Sequence, residues 1–277
     1  MKPIDQQKIL VTGSTDGLGR ALALDLAGRG AEVWVHGRSD ERGEQALEDI
    51  RAEHPDARLH WVRADLASLD EVRRLADQLE GTGLDVLVNN AGIGGDGPRT
   101  ESADGLELRF AVNYLAGYLL TRELLPGLVA TATEQGSARI VMVSSLGQQA
   151  IDFDDVMLEH GYSGIRAYCQ SKLAQIMFAF DLADELAGTG VTANALHPAT
   201  YMPTKMVARP ISTIAEGEEA TARLAVDPEL DGVTGRFFDG MRESRADDQA
   251  YDPDARRRLR ELSEELVRPR TAPPARR

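Results

Sequence analysis

Two side chains in the second half of the chain have the types and the spacing for proton transfer. Tyr168 and Lys172 lie four residues apart in a stretch that predicts a helix over residues 165–187, so both face one side, a turn apart. A tyrosine hydroxyl with a pKa of about 10 is a poor acid or base at neutral pH. A neighbouring ammonium group favours the phenolate and lowers that pKa. The pair could therefore exchange a proton with a bound oxygen atom.

A tyrosine and a lysine at this spacing occur by chance in many helices, so the pair needs support from other parts of the chain. Ser144 and Ser145 follow one predicted strand, and the segment Asn89-Asn90-Ala91-Gly92 follows another. Asn113 lies in the predicted helix after that segment. Open α/β sheets bind ligands at the carboxyl ends of their strands. These polar residues are therefore expected at the edge where the pair would act.

The elements that would position these residues alternate in the order of a parallel sheet covered on both faces. Short β-branched runs predict strands, and the amphipathic stretches between them predict helices. The predicted strands are 8–11, 32–35, 59–62, 86–88, 139–143 and 191–196, with a last one at Phe237 and Phe238. The predicted helices are 18–29, 40–53, 69–79, 106–132, 165–187 and 252–267.

This alternation predicts a single α/β domain over residues 1–267. Its fold class is a Rossmann-type, doubly wound parallel sheet of about seven strands with helices on both faces. The chain shows neither an internal repeat nor a linker that would divide it. The tail 268–277, rich in Arg and Pro, is predicted to be disordered.

Composition and charge narrow the classes of partner. A net charge of −14 argues against a nucleic-acid binder and against binding to anionic membranes. The single cysteine, Cys169, excludes an internal disulfide and fits a reducing compartment, and its helical position beside Tyr168 predicts core packing. The polar start of the chain lacks the apolar core of a signal peptide, and no run is long enough to span a bilayer. We therefore expect a cytoplasmic protein that binds no membrane.

A glycine-rich turn joins the first predicted strand to the first predicted helix. Glycines allow close backbone approach, and the free N–H groups and dipole of a helix N-terminus favour an anion, which together form a cradle for a pyrophosphate. The spacing Gly13-x-x-x-Gly17-x-Gly19 differs from the common G-x-G-x-x-G pattern. The residues expected to bind a dinucleotide here are Gly13, Ser14, Thr15, Asp16, Gly17, Leu18 and Gly19.

The end of the second strand bears on which dinucleotide binds. An NAD site places a carboxylate there to hold the ribose hydroxyls, but this chain reads Val35-His36-Gly37-Arg38-Ser39. Arg38 could instead pair with a 2′-phosphate, because its charge persists at any working pH. The alternative is that Arg38 is only a solvated loop residue. The sequence therefore favours NADP(H) over NAD(H).

Together these motifs resemble the short-chain dehydrogenase/reductase family over roughly residues 8–240. The resemblance implies a catalytic tetrad of Asn113, Ser145, Tyr168 and Lys172. Tyr168 would exchange a proton with the substrate oxygen, which Ser145 would polarise. Lys172 would bind the nicotinamide ribose and lower the pKa of Tyr168, and Asn113 would hold a water molecule linking Lys172 to solvent. Ser144 would then have a structural role.

The same resemblance extends the cofactor site to residues beyond the glycine-rich turn. Asn90, Ala91 and Gly92 resemble the segment beside the adenosine ribose, and Asp65 and Leu66 match the place where the family meets the adenine ring. After the sixth strand the family usually has Pro-Gly, whereas this chain has Pro198-Ala199. Thr204 matches a threonine that contacts the nicotinamide carboxamide, with Thr200 a close competitor. Tyr201 and Met202 either line the substrate pocket or pack the loop.

Within the family, the 23-residue step from Ser145 to Tyr168 and the run Tyr168-Cys169-Gln170-Ser171-Lys172 resemble the retinol-dehydrogenase-like branch. That branch implies an NADP(H)-dependent oxidoreductase that interconverts a carbonyl and an alcohol on a lipophilic small molecule. Two alternatives remain open. The fold could serve isomerisation, dehydration or cyclisation in a biosynthetic pathway, or it could be a sensor that binds NADP without chemistry.

Two further expectations concern the surface. In this family the long helices after the fourth and fifth strands often pair between copies, which implies a homodimer or homotetramer, although a monomer is also compatible with the branch. The segment 148–164 carries Asp152, Asp154 and Asp155 but no matched histidines, so we expect no metal site there. It reads as a mobile insertion at the mouth of the pocket, with His160 as a surface residue.

Overall fold

Eight strands form one sheet in the computed structural model, which describes residues 1–204 and 209–269. The strands are β1 Lys8–Val11, β2 Glu32–Gly37, β3 Arg58–Arg63, β4 Val86–Asn89, β5 Ala138–Val143, β6 Val191–His197, β7 Phe237–Asp239 and β8 Arg242–Ser244. Their spatial order is β3-β2-β1-β4-β5-β6-β7-β8. All neighbours pair in parallel except β8, which is antiparallel to β7. The strand order reverses between β1 and β4, and ligands bind at the carboxyl ends of strands at such a switch point.

Helices cover both faces of this sheet. They are α1 Gly17–Gly28, α2 Asp40–Glu53, α3 Leu69–Leu79, α4 Leu108–Phe110, α5 Ala116–Gln135, α6 Gly164–Glu185, α7 Ile214–Val226 and α8 Pro253–Leu266. A π-helix, Ala111–Leu115, joins α4 to α5, and short 3₁₀ turns occupy Ile4–Gln6, Pro228–Leu230 and Asp248–Tyr251. The Rossmann-type α/β fold predicted from the sequence is confirmed, with one more strand than expected.

The two faces of the sheet bury alternate residues of the same strands. In β1, Leu10 packs into the core formed with α3, α5 and α6, whereas Ile9 and Val11 pack into the core formed with α1, α2 and α7. Successive residues of a strand point to opposite faces of the sheet, so a parallel strand covered on both faces needs apolar residues at every position. The strands are therefore continuous apolar runs, which is why the sequence marked them clearly.

Three elements differ from the prediction. The predicted helix 106–132 is interrupted by the π-helix around Asn113, whose extra residue per turn leaves no trace in the apolar spacing. α7 was not predicted, although Thr213 and Glu216 form a capping box at its start. β8 is short and exposed, so it carries no apolar signal.

The last helix covers α6. Every residue from 170 to 180 of α6 is buried within the single chain. The Tyr114 hydroxyl and Ser263 Oγ of α8 lie 2.7 Å apart and are hydrogen-bonded. Arg260 of α8 donates to both carboxylate oxygens of Asp181 on α6, at 2.8 and 2.7 Å. α8 therefore packs against α6 within the same chain.

Three further expectations concern membrane spans, metal sites and the C-terminal tail. Across residues 1–204 and 209–269, no helix combines the length and the apolar character needed to cross a membrane. In the same residues, no group of three or more His, Cys, Asp or Glu side chains is arranged to hold a metal ion. Most of the tail predicted to be disordered, residues 270–277, lies outside the described residues.

Candidate active site

Tyr168 and Ser145 meet at the carboxyl end of β5. α6 starts behind Ser163, whose hydroxyl accepts a hydrogen bond from the Arg166 N–H, and its second turn carries Tyr168. Burial raises the pKa of Tyr168, and a hydrogen bond with Ser145 opposes that rise. Without a bound cofactor the phenol is therefore protonated, whereas the sequence predicts a lowered pKa for Tyr168.

Lys172 lies one turn further along α6 and is buried. Its Nζ donates to the carbonyl oxygen of Val143, at 2.9 Å, and to Oε1 of Gln175, at 3.0 Å. Nζ lies 5.6 Å from the centre of the Tyr168 ring. Burial lowers the pKa of Lys172 to about 7. Its ammonium group is therefore only marginally stable at neutral pH, which limits how far it can lower the pKa of the tyrosine.

Asn113 connects the segment after β4 to α6. From the π-helix, its Nδ2 donates to the Ile93 carbonyl oxygen at 3.0 Å and to Ser171 Oγ at 2.9 Å, while its Oδ1 accepts from the Ile93 N–H at 2.7 Å. π-helical turns are rare and concentrate at functional sites. The side-chain amide of Asn113 thus holds the Ile93 backbone and Ser171 of α6 in fixed positions.

Gly92 keeps open the space between Asn113 and Lys172. A Cβ atom at Gly92 would lie 3.4 Å from Asn113 Oδ1 and 3.5 Å from Lys172 Nζ. Asn113 and Lys172 therefore border one small opening beside Gly92, at the sheet edge that also carries Ser145 and Tyr168.

The neighbours of Ser145 and Tyr168 have separate roles. Ser144 donates from Oγ to the Lys172 carbonyl oxygen at 2.6 Å and is buried, which agrees with a structural role. Cys169 is half-buried instead of packed in the core. A Cβ atom built at Gly147 would lie 3.6 Å from its Sγ and 3.4 Å from Ser145 Oγ, so the thiol lies near the opening.

The glycine-rich turn after β1 requires its glycines for space. Gly13 has a φ of +66°, and a Cβ atom there would lie 2.9 Å from Ala91 Cα. A Cβ atom at Gly19 would lie 2.3 Å from the Gly13 carbonyl oxygen and 2.4 Å from Asn90 Nδ2. No L side chain fits at either position without displacing backbone. The turn therefore presents bare backbone at the N-terminus of α1, as a pyrophosphate cradle requires.

Thr12 joins this turn to the segment after β4. Its Oγ1 accepts from the N–H groups of Asn90 and Ala91, at 2.9 and 3.0 Å, and donates to the Val88 carbonyl oxygen at 3.3 Å. Asn90 Nδ2 donates back to the carbonyl oxygens of Thr12 and Gly13, at 2.8 and 3.2 Å. The two loops at the switch point are thus bound as one unit.

His36, at the end of β2, supports the same turn, a role that sequence reasoning missed. Its Nδ1 accepts from the Gly13 N–H at 3.0 Å, and burial lowers its pKa to about 4, so the ring is neutral. Ser14 was expected to contact the cofactor, but its hydroxyl donates to the Val11 carbonyl oxygen and accepts from the His36 N–H. Ser14 is fully buried and supports the turn from within.

The far end of the turn carries positive charge. Thr15 packs against Gly37, where a Cβ atom would lie 2.7 Å from Thr15 Cγ2, and Arg38 follows on the exposed side. Within the described residues, no ion pair engages Arg38. Arg42 of α2 lies 2.9 Å from Oδ2 of Asp16. One guanidinium group is therefore available beside the turn.

Asp65 and Leu66, expected near the adenine ring, form the turn after β3. Asp65 Oδ1 accepts from the Ala67 N–H at 3.0 Å, and the Asp65 N–H donates to Glu71 Oε2 at 2.7 Å. Leu66 is buried. The Ala64 N–H donates to the Gly37 carbonyl oxygen, so the ends of β2 and β3 are joined next to Asp65 and Leu66.

The loop after β6 distinguishes the two candidate threonines. Thr204 Cγ2 lies 3.5 Å from a Cβ position at Gly17, so this residue contacts the glycine-rich turn. The Thr200 hydroxyl is hydrogen-bonded to Nε2 of His197, beside Pro198, at 2.9 Å. Thr204 is thus better placed than Thr200 to reach a bound dinucleotide.

Tyr201 and Met202 of the same loop point to different surroundings. Met202 packs against α7, with its sulfur 2.3 Å from a Cβ position at Gly217. Tyr201 is 62% exposed. Met202 therefore packs the loop, whereas Tyr201 remains available at the surface.

The segment 148–164 is anchored to the body of the protein, which does not support the mobile insertion expected from the sequence. Tyr162 OH donates to Glu107 Oε1 at 2.9 Å and accepts from Arg109 Nη1 at 2.5 Å. Arg109 Nη2 in turn donates to the Gly95 carbonyl oxygen at 2.7 Å. Leu158 of the segment is fully buried. The insertion is therefore bound, through Arg109, to the segment after β4.

Exposed apolar side chains concentrate on the segments that carry the site. Of six large apolar residues exposed in the described part of the chain, four lie on these segments: Leu146, Ile165, Tyr201 and Ile211. Leu146 follows Ser145, Ile165 precedes Tyr168 by three residues, and the Ile211 N–H donates to the Tyr201 carbonyl oxygen. Exposed apolar side chains on segments that carry a site suit the binding of an apolar ligand.

Comparison with known proteins agrees with this geometry. The family model described as short chain dehydrogenase matches residues 7–213. Retinol dehydrogenase 13 of Mus musculus is 38% identical, over 95% of this chain and 84% of its own length. Polyprenol dehydrogenase of Mus musculus is 37% identical, over 90% of this chain and 80% of its own length.

Solved structures share the fold. An uncharacterised protein from Mycobacterium paratuberculosis superposes with a TM-score of 0.77 at 30% identity, covering 95% of this chain and 93% of that one. A short chain dehydrogenase from Shigella flexneri, complexed with NADP, has a TM-score of 0.69 at 27% identity, covering 85% and 97%. A 3-ketoacyl-(acyl-carrier-protein) reductase from Brucella melitensis, complexed with NADH, has a TM-score of 0.69 at 24% identity, covering 85% and 97%.

Proposed function

The chain belongs to the short-chain dehydrogenase family, in its retinol-dehydrogenase-like branch, and on that premise we propose an NADP(H)-dependent oxidoreductase that interconverts a carbonyl and an alcohol on a lipophilic small molecule. The observation that carries the proposal is that Ser145 and Tyr168 lie side by side next to Gly147, with Lys172 one turn further along α6 and Asn113 hydrogen-bonded to Ser171. This cluster lies at the same sheet edge as the glycine-rich turn.

The residues at this edge fit a nicotinamide dinucleotide. The bare backbone at Gly13, Gly17 and Gly19 suits the pyrophosphate, and we place the ribose beside Gly92, where Lys172 Nζ and the Asn113 side chain come together. When bound, the nicotinamide supplies or accepts the hydride. The further contacts that we propose come from the backbone and side chains of Thr15, Asp16, Leu18, Asp65, Leu66, Asn90, Ala91, Pro198 and Thr204.

In the direction of carbonyl reduction, Tyr168 donates a proton to the substrate oxygen. Its raised pKa keeps the hydroxyl protonated and ready to donate. Ser145 hydrogen-bonds to the same oxygen and polarises the carbonyl group. Lys172, in its ammonium form, binds the ribose hydroxyls and stabilises the phenolate that remains on Tyr168. Asn113 holds the segment at Ile93 against α6, which fixes the wall of the opening.

Loss of NADPH absorbance with a panel of aliphatic and aromatic aldehydes and ketones tests this activity. Once a substrate is found, we expect Tyr168→Phe to lower kcat by roughly 10²–10⁴-fold, the usual contribution of a positioned acid. Tyr251→Phe is the matched control, since it removes the hydroxyl of an exposed tyrosine that accepts from the Ala246 N–H and is not one of the tetrad residues. A Tyr168→Phe enzyme with near-normal turnover would exclude the proposed proton transfer.

The preference for NADP(H) is assigned to Arg38. A charge-assisted hydrogen bond contributes about 1.5–3 kcal/mol, so Arg38→Asp should reduce the NADPH-to-NADH ratio of kcat/KM by roughly 10- to 150-fold. Arg51→Asp, an exposed residue near the end of α2, makes the same change in net charge and should leave the ratio unchanged. An unchanged ratio in Arg38→Asp would mean that this arginine does not read the 2′-phosphate.

The lipophilic substrate is supported by the exposed apolar residues on the segments that carry the site, and by relatives named for retinol and polyprenol. We expect Ile211→Ser to raise KM for long-chain carbonyl compounds more than for short ones, because only the long chains reach the rim. Met241→Ser is the matched control, since Met241 is 44% exposed in the turn between β7 and β8. Equal effects on long and short substrates would count against an apolar entrance.

A further inference from the structure

We propose that Gln175 is a positioning residue that holds the Lys172 side chain in place and stabilises its ammonium form for the reaction. This role rests on the oxidoreductase function proposed above. Gln175 follows Lys172 by three residues on α6, so the two side chains lie one turn apart on the same face. Neither the tyrosine–lysine spacing nor the comparisons assign a function to it.

The geometry of this contact is that of a dedicated hydrogen bond. Gln175 Oε1 accepts from Lys172 Nζ at 3.0 Å, and the glutamine side chain is 2% exposed. The other acceptor, the Val143 carbonyl oxygen, belongs to β5 and is fixed by the sheet. Two neutral oxygen atoms therefore hold Nζ in place. Only the glutamine oxygen can be removed by substitution.

Among residues 1–204 and 209–269, the lysine has no anionic partner to perform this task. In the part of the chain that the structure describes, no carboxylate lies within ion-pair distance of Lys172. The titratable groups around it are Tyr168 on its own helix and His197 at the end of β6. Burial lowers the pKa of His197, Asp239 opposes this, and Lys172 adds to it. From the segment after β4 and the π-helix, Gly92 and Asn113 face the lysine and carry no charge.

Because Lys172 is buried without a carboxylate beside it in the described residues, the acceptor Gln175 Oε1 has a measurable effect on its protonation. Burial lowers the pKa of Lys172 to about 7, so its protonation changes within the working pH range. The ammonium form donates more strongly to Gln175 Oε1 than the neutral amine does. Removing that oxygen should lower the pKa of Lys172 further, whereas a carboxylate in the same place should raise it. Opposite shifts from two substitutions at one position are not expected from a general loss of packing.

Lysine NMR can measure this protonation directly, without turnover and without cofactor. The chain contains only four lysines, Lys2, Lys8, Lys172 and Lys205, so protein labelled with ¹³C at lysine Cε gives few signals. Loss of one signal in Lys172→Met identifies the residue. We expect the titration midpoint of Lys172 to fall by on the order of one pH unit in Gln175→Met and to rise by a similar amount in Gln175→Glu.

Gln170→Met is the matched control for these variants. Gln170 is a buried glutamine of the same helix, but its Oε1 accepts from the Asp152 N–H instead of from the lysine. The same substitution there should leave the Lys172 midpoint unchanged. A Gln175→Met midpoint equal to that of the wild type, or shifts of the same sign in Gln175→Met and Gln175→Glu, would overturn the assignment.

The pH profile of carbonyl reduction then tests the link to the reaction. Reduction needs the ammonium form, so the basic limb of kcat/KM should move to lower pH in Gln175→Met and to higher pH in Gln175→Glu, following the NMR midpoints. A basic limb that stays in place while the midpoints move would overturn the role in the reaction. A wild-type enzyme with no turnover on any carbonyl would instead refute the proposed function, which the NMR titration distinguishes from a failure of the Gln175 assignment.

Discussion

The clearest test of how the site is assembled is the substitution Thr12→Val, which keeps the shape of the side chain and removes only its oxygen. Thr12 is 2% exposed, and its Oγ1 makes three hydrogen bonds, two of them accepted from the N–H groups of Asn90 and Ala91. A valine offers no acceptor, and the close contact between Gly13 and Ala91 leaves no room for a replacement group. Within the described residues, the backbone segment on which Gly92 lies would then be attached to the end of β1 only through Asn90 Nδ2, which donates to the carbonyl oxygens of Thr12 and Gly13.

The size of the effect follows from the groups left without partners. A buried donor without an acceptor costs about 1–3 kcal/mol. The Asn90 N–H keeps the Val88 carbonyl oxygen as an acceptor, so of these two donors only the Ala91 N–H is left without one. Ala91 is half-buried, so water restores part of this loss, and the lower half of the range applies. The lost bond from Thr12 Oγ1 to the Val88 carbonyl oxygen adds about 1 kcal/mol. We therefore expect Thr12→Val to lower the free energy of unfolding by about 2–3 kcal/mol, a substantial part of the roughly 5–15 kcal/mol of a typical domain.

Urea denaturation of the cofactor-free protein measures this change, with Thr12→Ser as the control that keeps the oxygen and loses only a methyl group. Titration with NADPH, followed by its fluorescence, should also show weaker binding to Thr12→Val, because the segment that borders the ribose is displaced. If Thr12→Val unfolds within about 0.5 kcal/mol of the wild type, the level of an ordinary surface substitution, and binds NADPH normally, the threonine does not hold the two loops together.

Four further predictions concern other parts of the molecule. His36 is neutral in the fold because burial lowers its pKa to about 4, from 6.5 when exposed. The stability that the neutral ring contributes is therefore complete above pH 6.5 and is lost as the pH falls to 4. Urea denaturation measured at both pH values should show a loss of stability that is smaller by about 3 kcal/mol in His36→Asn than in the wild type. Gly19→Ala should abolish measurable NADPH binding, because its Cβ would lie 2.3 Å from the Gly13 carbonyl oxygen, and Gly127→Ala, with open space at its Cβ position, is the control. Tyr162→Phe should cost about 1–3 kcal/mol in urea and raise KM more than it lowers kcat, because it releases the insertion from Glu107 without touching the tetrad. Light scattering after size exclusion should give the 30.1 kDa mass of one chain, because α8 covers α6, and a dimer mass would contradict this.

The catalytic part of the site was predictable because each of its residues lies at an element end that the sequence marks. Ser145 follows an apolar run that predicts β5, and Asn90 follows another that predicts β4. Parallel strands bring their carboxyl ends to one edge, so polar residues after two such runs must be neighbours. Tyr168 and Lys172 are neighbours through helix geometry alone. Local patterns and one topological rule were therefore sufficient for this cluster.

The covering elements were less predictable, because their partners lie far away in the sequence. The insertion 148–164 reads as polar and mobile, but it is held by Glu107 and Arg109, which precede it by about fifty residues. α8 was predicted as a charged helix, yet its arginines pair with Asp181 and Asp184 of α6. Charge on a helix normally indicates solvent. Which face pairs and which is solvated depends on the tertiary arrangement, which a pattern of charges does not specify.

Three residues that support the site were missed, and they differ in whether the sequence contained a signal. Thr12 acts on a segment 78 residues away, and His36 acts across two neighbouring strands, so both roles depend on a pairing that only the sheet reveals. Gln175 differs from them, since a glutamine three residues after a helical lysine predicts a contact from spacing alone. The role of Gln175 was missed because the sequence analysis considered only the contacts of Lys172 with a bound cofactor and with Tyr168. A buried ammonium group must satisfy its donors whether or not a ligand is bound, so the acceptors within one turn of a catalytic lysine are the first candidates for tuning its charge.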